Sequence, residues 1–554
     1  MKKIAIYIFS LVCLLQFSSC SDFLNTFPKD SLNTATVWQT EADVERFLVG
    51  CYAGNELFHG ESFFYLDCAS DIGFSFHNDG GGWRVIGDGS MNAANTGSGR
   101  FYNFRHIRRV NYLLANIDRV EFRDQAVKND IIAQARFIRA YQYFNMNWWY
   151  GGAPLILDLP NNAEDAQRPR ESEERMKQFV FDEVDLALEG IRLTPAADGR
   201  VARGAVLMLK MRSALYYEDW QRALSAAREI VSLGQYRLLD DFSTVFSYAG
   251  RDSEEIILSV QKVTPGANEW FITIPNNADG GWSSMVPTQN LVDMFEMANG
   301  LPITDPVSGY DPEFPFYGRD PRLAATILVP GMDWVSGYNN IINTLDATLP
   351  NGAANTNFVT FANNSSRTGL TWAKFFLPYS QYQTGPGGAF VWDPTQTEYI
   401  IYRYAEALLS LAEASNELNG PTPEAYDAID QIRLRAGMPV VDRAQHATQA
   451  TFRELIRRER TIELAGEGHR RADILRWKDA SGRMLAETVM NGPLTRINGT
   501  VSHDPAVDQF RRARVTGTPV LIENRVFRPH NRYLPFSTGN LDRNPQLKQN
   551  PGYL

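Results

Sequence analysis

"YIIYRYAEALLSLAEASNELNGPTPEAYDAIDQIRLRAGMP", residues 399–439, decides the fold. Apolar residues recur at spacings of three and four on both sides of Gly420, which predicts two amphipathic helices rather than strands. Gly420 breaks the pattern, Thr422 offers a side-chain oxygen to the orphan N–H groups of the second helix, and Pro423 pre-sets its first φ. Small alanines lie where the two helices must approach closely.

The same plan recurs in "RGAVLMLKMRSALYYEDWQRALSAAREIVSLGQY", residues 203–236, with a short turn before Trp220. Units of roughly 34 to 40 residues built this way are the signature of tetratricopeptide-like helical repeats. Upstream, Phe101, Phe104, Ile107, Asn111, Leu114 and Ile117 fall on one helix face. Residues 127–152 are apolar on two faces and stop at Gly151-Gly152, which predicts a helix buried between neighbours. A last helix is read from a capping box, Thr451-x-x-Glu454, into "RRERTIELAGEGHRRADILRW", residues 457–477.

Between about 240 and 395, Gly, Pro, Asn and aromatic residues take over and helical periodicity fades. A structureless run of that length is implausible inside a domain, so short strands and packed loops are expected there. Loops fixed to a rigid scaffold are where binding usually sits. The expected fold is all-α dominated: a helical scaffold over about 36–240 and 396–480, a loop-rich ligand-binding face over about 240–395, and an irregular segment over about 481–554.

At the other end, Lys2 and Lys3 precede "IAIYIFSLVCLLQF", residues 4–17, the charge-then-apolar order of a secretory signal and too short to span a bilayer. Phe17-Ser18-Ser19-Cys20 follows and resembles the lipobox of bacterial lipoproteins, in which the cysteine is lipidated and becomes the new N-terminus. Cys20 is therefore the expected lipidation site, residues 1–19 the signal peptide, and 20–554 the mature chain; ordinary cleavage near Ser19 is the alternative. Acyl chains gain about 0.8 kcal/mol per buried CH₂, so two or more hold a protein at a membrane.

Loss of Lys2 and Lys3 takes the formal net charge from −10 to −12, which argues against nucleic acid as a partner. Of the four cysteines, Cys51 and Cys68 remain in the mature chain beside Cys20; an exported protein can pair them, yet "FLVGCYAG" around Cys51 reads as a packed helix face.

No HExxH, P-loop, GxSxG or CxxC occurs, and the seven histidines are scattered, so neither a metal nor another cofactor is expected. The most enzyme-like cluster is Glu459, Glu463, Glu467, His469, Arg470, Arg471, Asp473 and Arg476. Two of its carboxylates suit acid/base cleavage of a glycoside. Glu454 with Arg458 and Glu467 with Arg471 stand at i,i+4, however, and the mixed signs fit an ion-pair lattice bracing a helix corner. No catalytic residue is assigned.

Position sorts the tryptophans. Trp38, Trp148, Trp149, Trp220 and Trp477 belong in or beside amphipathic helices and read as core. Trp83 in "NDGGGWRVIGDGSMN", Trp282 in "ADGGWSSM", and Trp334 with Tyr338 in "GMDWVSGYNN" are flanked by glycines and small polar residues, and Trp372 and Trp392 also fall in loop-rich sequence. Trp83, Trp282 and Trp334 are expected to form an exposed aromatic platform for the C–H face of a pyranose. Tyr338, Arg84, Asn92, Asn339 and Asn340 are the neighbours to engage ligand.

Taken together, "CSDFLNTFP" (20–28), "FYNFRHIRRVNYLLANID" (101–118), "ARFIRAYQYFNMNWWYGGAPLI" (135–156), "PTQNLVDMFEMANG" (287–300), "YRYAEALLSLAEASNELNG" (402–420), "IRLRAGMP" (432–439), residues 457–477 and "NPQLKQNPGY" (544–553) resemble, in order, the SusD/RagB family of outer-membrane nutrient-binding lipoproteins of Bacteroidetes. The resemblance implies one domain with four tetratricopeptide-like units, lipid-anchored at the cell surface. It also implies a TonB-dependent SusC-like barrel as partner, and a binding role rather than an enzymatic one. The implied ligand is an oligosaccharide, or in some members a peptide; a surface glycoside hydrolase is the remote alternative.

Overall fold

A computed structural model describes residues 38–553 apart from 55–56, 59–62, 77–81, 100, 196–198, 262–275, 335–339, 363 and 377–397. The scaffold helices are α1 (Glu41–Tyr52), α2 (Phe63–Cys68), α3 (Trp83–Asp88), α4 (Arg105–Asn116), α5 (Gln125–Tyr150) and α6 (Glu173–Gly190), followed by α7 (Arg203–Tyr216) and α8 (Trp220–Ser232). After the loop-rich region come α9 (Tyr404–Asn419), α10 (Pro423–Arg435), α11 (Gln449–Leu464) and α12 (Arg470–Arg476).

Each helix packs on its neighbour in turn: α1 on α4, α4 on α5, then α6, α7, α8 and α9, with α10 and α11 both on α9. α5 is the central element. Its second half is buried on nearly every face, from Ala133 to Tyr150, as a helix held between α4 and α6 must be, and Gly151 at φ +65° ends it. The start signals of 399–439 operate as read: Thr422 Oγ1 accepts the Ala425 N–H at 3.2 Å, and Pro423 opens α10. Asp219 caps α8 in the same way, through the Arg222 N–H at 3.1 Å.

Two boundaries differ from the sequence reading. The N-cap of α11 is Thr448, and Thr451 completes the capping box at the third helical position, leaving Glu454 outside it. A threonine hydroxyl performs the reciprocal contact there, at 3.3 Å from the Thr448 N–H. α4 begins only at Arg105, so Phe101 and Phe104 precede it and the buried face is His106, Ile107, Val110, Asn111 and Leu113.

Among the described residues the strands form five two-stranded antiparallel ladders. β1 (Gly73–Ser75) pairs β3 (Met285–Pro287), β2 (Ile256–Val260) pairs β6 (Tyr399–Arg403), and β4 (Ile327–Leu328) pairs β5 (Thr371–Trp372). β7 (Gly492–Arg496) pairs β10 (Val520–Arg525), and β8 (Gly499–Val501) pairs β9 (Ala513–Val515). The last two ladders lie in the segment expected to be irregular; strands this short carry too little alternation to be read locally. β6 runs directly into α9, so the β2–β6 ladder fastens the loop-rich region to the scaffold. Cys51 and Cys68 are buried free thiols, and desolvation pushes Cys51 up to about 12.

Candidate functional site

The β1–β3 ladder sets the position of the loop face. Phe74 lies opposite Val286, and both are buried with Leu494 of β7. Pairing continues one step past the ladder, where the Phe76 N–H donates to Ser284 O at 2.9 Å. Side chains two apart share a face of a strand, so Phe76 follows Phe74 toward β7 and stands half-buried at the rim. Ser283, at φ +44°, turns the chain just beyond, and Trp282 is left 37% exposed.

A tight turn at Asn277–Asp279 precedes Trp282. Asn276 holds it, its amide donating to Asp279 Oδ2 at 2.7 Å. The same carboxylate oxygen accepts the indole N–H of Trp334 at 2.8 Å, so Trp334 is anchored half-buried beside the turn. Asn277 Nδ2 donates to Thr356 O at 2.6 Å, and the Ala278 N–H donates to Asn357 Oδ1 at 2.7 Å. The stretch 276–284 thus meets Trp334 and residues 356–357 at the end of one ladder, with Trp282 and Trp334 on the same face.

Trp83 is a correction. It opens α3 with no exposed surface, stacked on Tyr65 at 5.8 Å and edge-on to Phe101 and Trp149 at 6.3 and 6.1 Å. The glycines around it close the core rather than open it. A Cβ on Gly89 would stand 1.7 Å from Val526 O, and one on Gly97 2.4 Å from Ile86 Cγ1. Arg84, next along α3, is half-exposed and does reach the loop face, 3.6 Å from Glu523 and with its guanidinium 5.8 Å from the Phe76 ring. Asn92 is exposed, but its Oδ1 accepts the Ala94 and Asn95 N–H groups, both at 3.0 Å, and staples its own turn. No contact among the described residues brings it to Trp282 or Trp334. Asn340 is exposed at the edge of the Trp334 loop; Tyr338, Asn339 and Trp392 lie outside the described residues. Trp372 is fully buried on β5 against Phe64. Trp38, Trp148, Trp149 and Trp477 are core, as read, and Trp220 is half-buried.

The charged helix corner is a buried lattice whose partners are not those expected. Glu463 accepts from Arg403 at 2.8 Å, from Arg322 at 3.2 Å and from Arg435. Glu467 accepts from Arg403 at 2.7 Å and Lys374 at 2.6 Å, and Glu459 from Arg322 at 3.0 Å and Arg433. Neither i,i+4 pair forms: Arg458 binds Glu296 at 2.8 Å, and Arg471 donates to the carbonyls of Ala69 and Asn531. The surrounding guanidinium groups overcome burial and hold the Glu463 and Glu467 carboxyls below the usual range. Desolvation and nearby cations push His469 well below its own. The cavity bordering Glu467 and His469 measures about 60 Å³, space for a few waters. Carboxylates held ionised by buried guanidinium partners are not poised to donate a proton.

Phe76 and Asp279 are not singled out by the sequence pattern. Phe76 acquires its place only through pairing with a strand some 200 residues away, a distance no local pattern covers.

Residues 247–553, more than half of the chain, match the model of the SusD family. A SusD-like protein of Formosa agariphila is 25% identical over 516 residues, covering 86% of this chain and 90% of that protein. A second from the same organism is 22% identical, covering 86% and 92%. Among solved structures, a SusD-like carbohydrate binding protein from Bacteroides fragilis superposes with a TM-score of 0.76 at 24% identity, over 93% of this chain and all of that one. A laminarin binding SusD-like protein superposes with a TM-score of 0.66 at 20% identity, over 93% of this chain and all of that one. Family match, near full-length relatives and a shared helix-dominated fold agree: the chain belongs to the SusD family.

Proposed function

We propose that this protein is a lipid-anchored outer-membrane binding protein that captures oligosaccharides on the face around Trp282 and passes them to a SusC-like TonB-dependent transporter. The observation that carries the reading is the 37% exposed indole of Trp282 beside the anchored Trp334, on a loop face built at the end of the β1–β3 ladder. A flat ring open to solvent and set beside polar loops suits the C–H face of a pyranose. Solved relatives described as carbohydrate binding and laminarin binding support the same ligand class.

Ring stacking at about 0.5 to 1.5 kcal/mol apiece, with a few hydrogen bonds, gives roughly 4 to 8 kcal/mol and millimolar to micromolar affinity. Ligand held so loosely is released to a transporter. A lipid at Cys20 keeps the protein beside that transporter, so a modest contact between the two suffices. The buried, fully paired Glu459, Glu463 and Glu467 support binding without turnover. Affinity electrophoresis of the mature chain through gels carrying a panel of polysaccharides, with peptide libraries as competitors, tests the reading. Retardation by at least one glycan, unrelieved by peptides, is expected; binding to peptides alone would transfer the protein to a peptide-import role.

A further inference from the structure

Most arginines among the described residues face a carboxylate, including surface ones such as Arg228 on Glu424 and Arg443 on Asp430. Two beside the candidate site do not. Arg367 donates to Val359 O at 2.9 Å and lays its guanidinium 4.3 Å from the Phe76 ring centroid. Arg496 follows Leu494 by two residues on β7, on the strand face that meets Phe74 and Phe76. Its guanidinium reaches the Ile497 carbonyl at 3.5 Å.

Among the described residues neither guanidinium has an acidic partner. Burial pushes both below the usual arginine range, and Arg367 pushes Arg496 further, with no carboxylate acting on either. Arg84 flanks the same ring, and its carboxylate, Glu523, is shared with Arg525 at 2.9 Å. Cations therefore outnumber anions on this small face, in a chain with 64 acidic and 54 basic residues. Partly dehydrated like charges repel, and a bound anion relieves them.

We propose that the rim around Phe76, bounded by Arg84, Arg367 and Arg496, takes the negative group of an acidic sugar unit, a uronate carboxylate or a sulfate ester. The ligand of the Trp282 site is then an anionic oligosaccharide; this rests on the glycan reading above. Guanidinium forks bind carboxylate and sulfate oxygens two at a time, and stacking on Phe76 fixes the plane of the Arg367 fork in advance. Phe76 pairs with Ser284, and Trp282 is two residues from Ser284, so at most about 7 Å of chain separates them. One short oligosaccharide spans both. The Phe76 ring within the cationic rim and the exposed Trp282 indole beside it favour an acidic sugar over an acidic peptide.

Calorimetric titration with tetragalacturonate, its methyl ester, a sulfated galactan oligosaccharide, its desulfated form and tetraglutamate tests this. The proteins are the wild type, Arg367→Gln/Arg496→Gln and Arg367→Lys, each with its melting temperature checked. One acidic sugar should bind at least about tenfold more tightly than its neutral counterpart, the scale of one charged hydrogen bond. Which of the two does so identifies the anion. The double variant should lose that preference while melting normally, Arg367→Lys should retain part of it, and added salt should weaken it. Equal affinity for charged and neutral forms, or a double variant that keeps the preference, overturns the inference and leaves glycan capture standing. Tightest binding to tetraglutamate overturns it in favour of a peptide. Binding to no sugar ends both this inference and the glycan reading.

Discussion

Trp282 stays in contact with solvent because Ser283 adopts φ +44° and the chain turns before a neighbour can cover the ring. Trp83 has the same kind of flanking residues and no exposed surface. The difference lies in what stands against nearby glycines: a Cβ on Gly89 would collide with Val526 O and one on Gly97 with Ile86, so the absent Cβ atoms let the chain pack closely around α3. Trp83→Ala should therefore cost about 3 to 5 kcal/mol of stability, read from the urea midpoint. A loss under 1 kcal/mol would mean the ring is not core. Glycine beside tryptophan was legible as a special position; which of two opposite purposes it serves was not, because the deciding atoms come from Val526 and Ile86.

At the scale of elements, the corner of α11 and α12 shows how charge patterning informs and misleads. A mixed-sign helix was legible as a bracing lattice. Its partners were not, because Arg322, Arg403 and Lys374 come from outside the helix and outcompete the i,i+4 neighbours for buried carboxylates. Glu463→Gln leaves three guanidinium groups short of charge, and removing one member of a buried pair costs about 3 to 5 kcal/mol. The Glu463 pKa is lowered in the fold, so its contribution is present above the unfolded value near 4 and is lost as pH falls below it. Urea midpoints of wild type and Glu463→Gln should lie far apart at pH 7 and converge toward pH 3; a constant gap would contradict the lattice. Asp67, on α2, runs the other way. Desolvation raises it to about 7, one oxygen takes the Gly466 N–H at 2.7 Å, and the other has no partner among the described residues. A carboxyl raised in the fold weakens the protein as pH climbs from about 4 to 7. Asp67→Asn should flatten that slope in melting temperature between pH 5 and 8, and an unchanged slope would assign it to another group.

For the whole molecule, one hairpin with its caps, Gly420, Thr422 and Pro423, made the helical class legible, since helix signals are local and those residues act within four positions of one another. The loop face was legible only as a region. It is assembled by contacts such as Trp334 to Asp279 and Phe76 to Ser284, which join stretches far apart in sequence. Location rests on Cys20, outside the described residues. Cells fed a fatty-acid analogue should label the wild type and not Cys20→Ala, with the variant released from the membrane fraction; equal labelling would remove the anchor. The central claim, sugar capture at Trp282, is tested most directly by calorimetric titration of wild type and Trp282→Ala with the retained glycan, alongside melting curves. Loss of one stacked ring should weaken binding about tenfold, near 1.4 kcal/mol, with the melting temperature nearly unchanged. A Trp282→Ala protein that melts early and binds the glycan as tightly as the wild type would contradict the account.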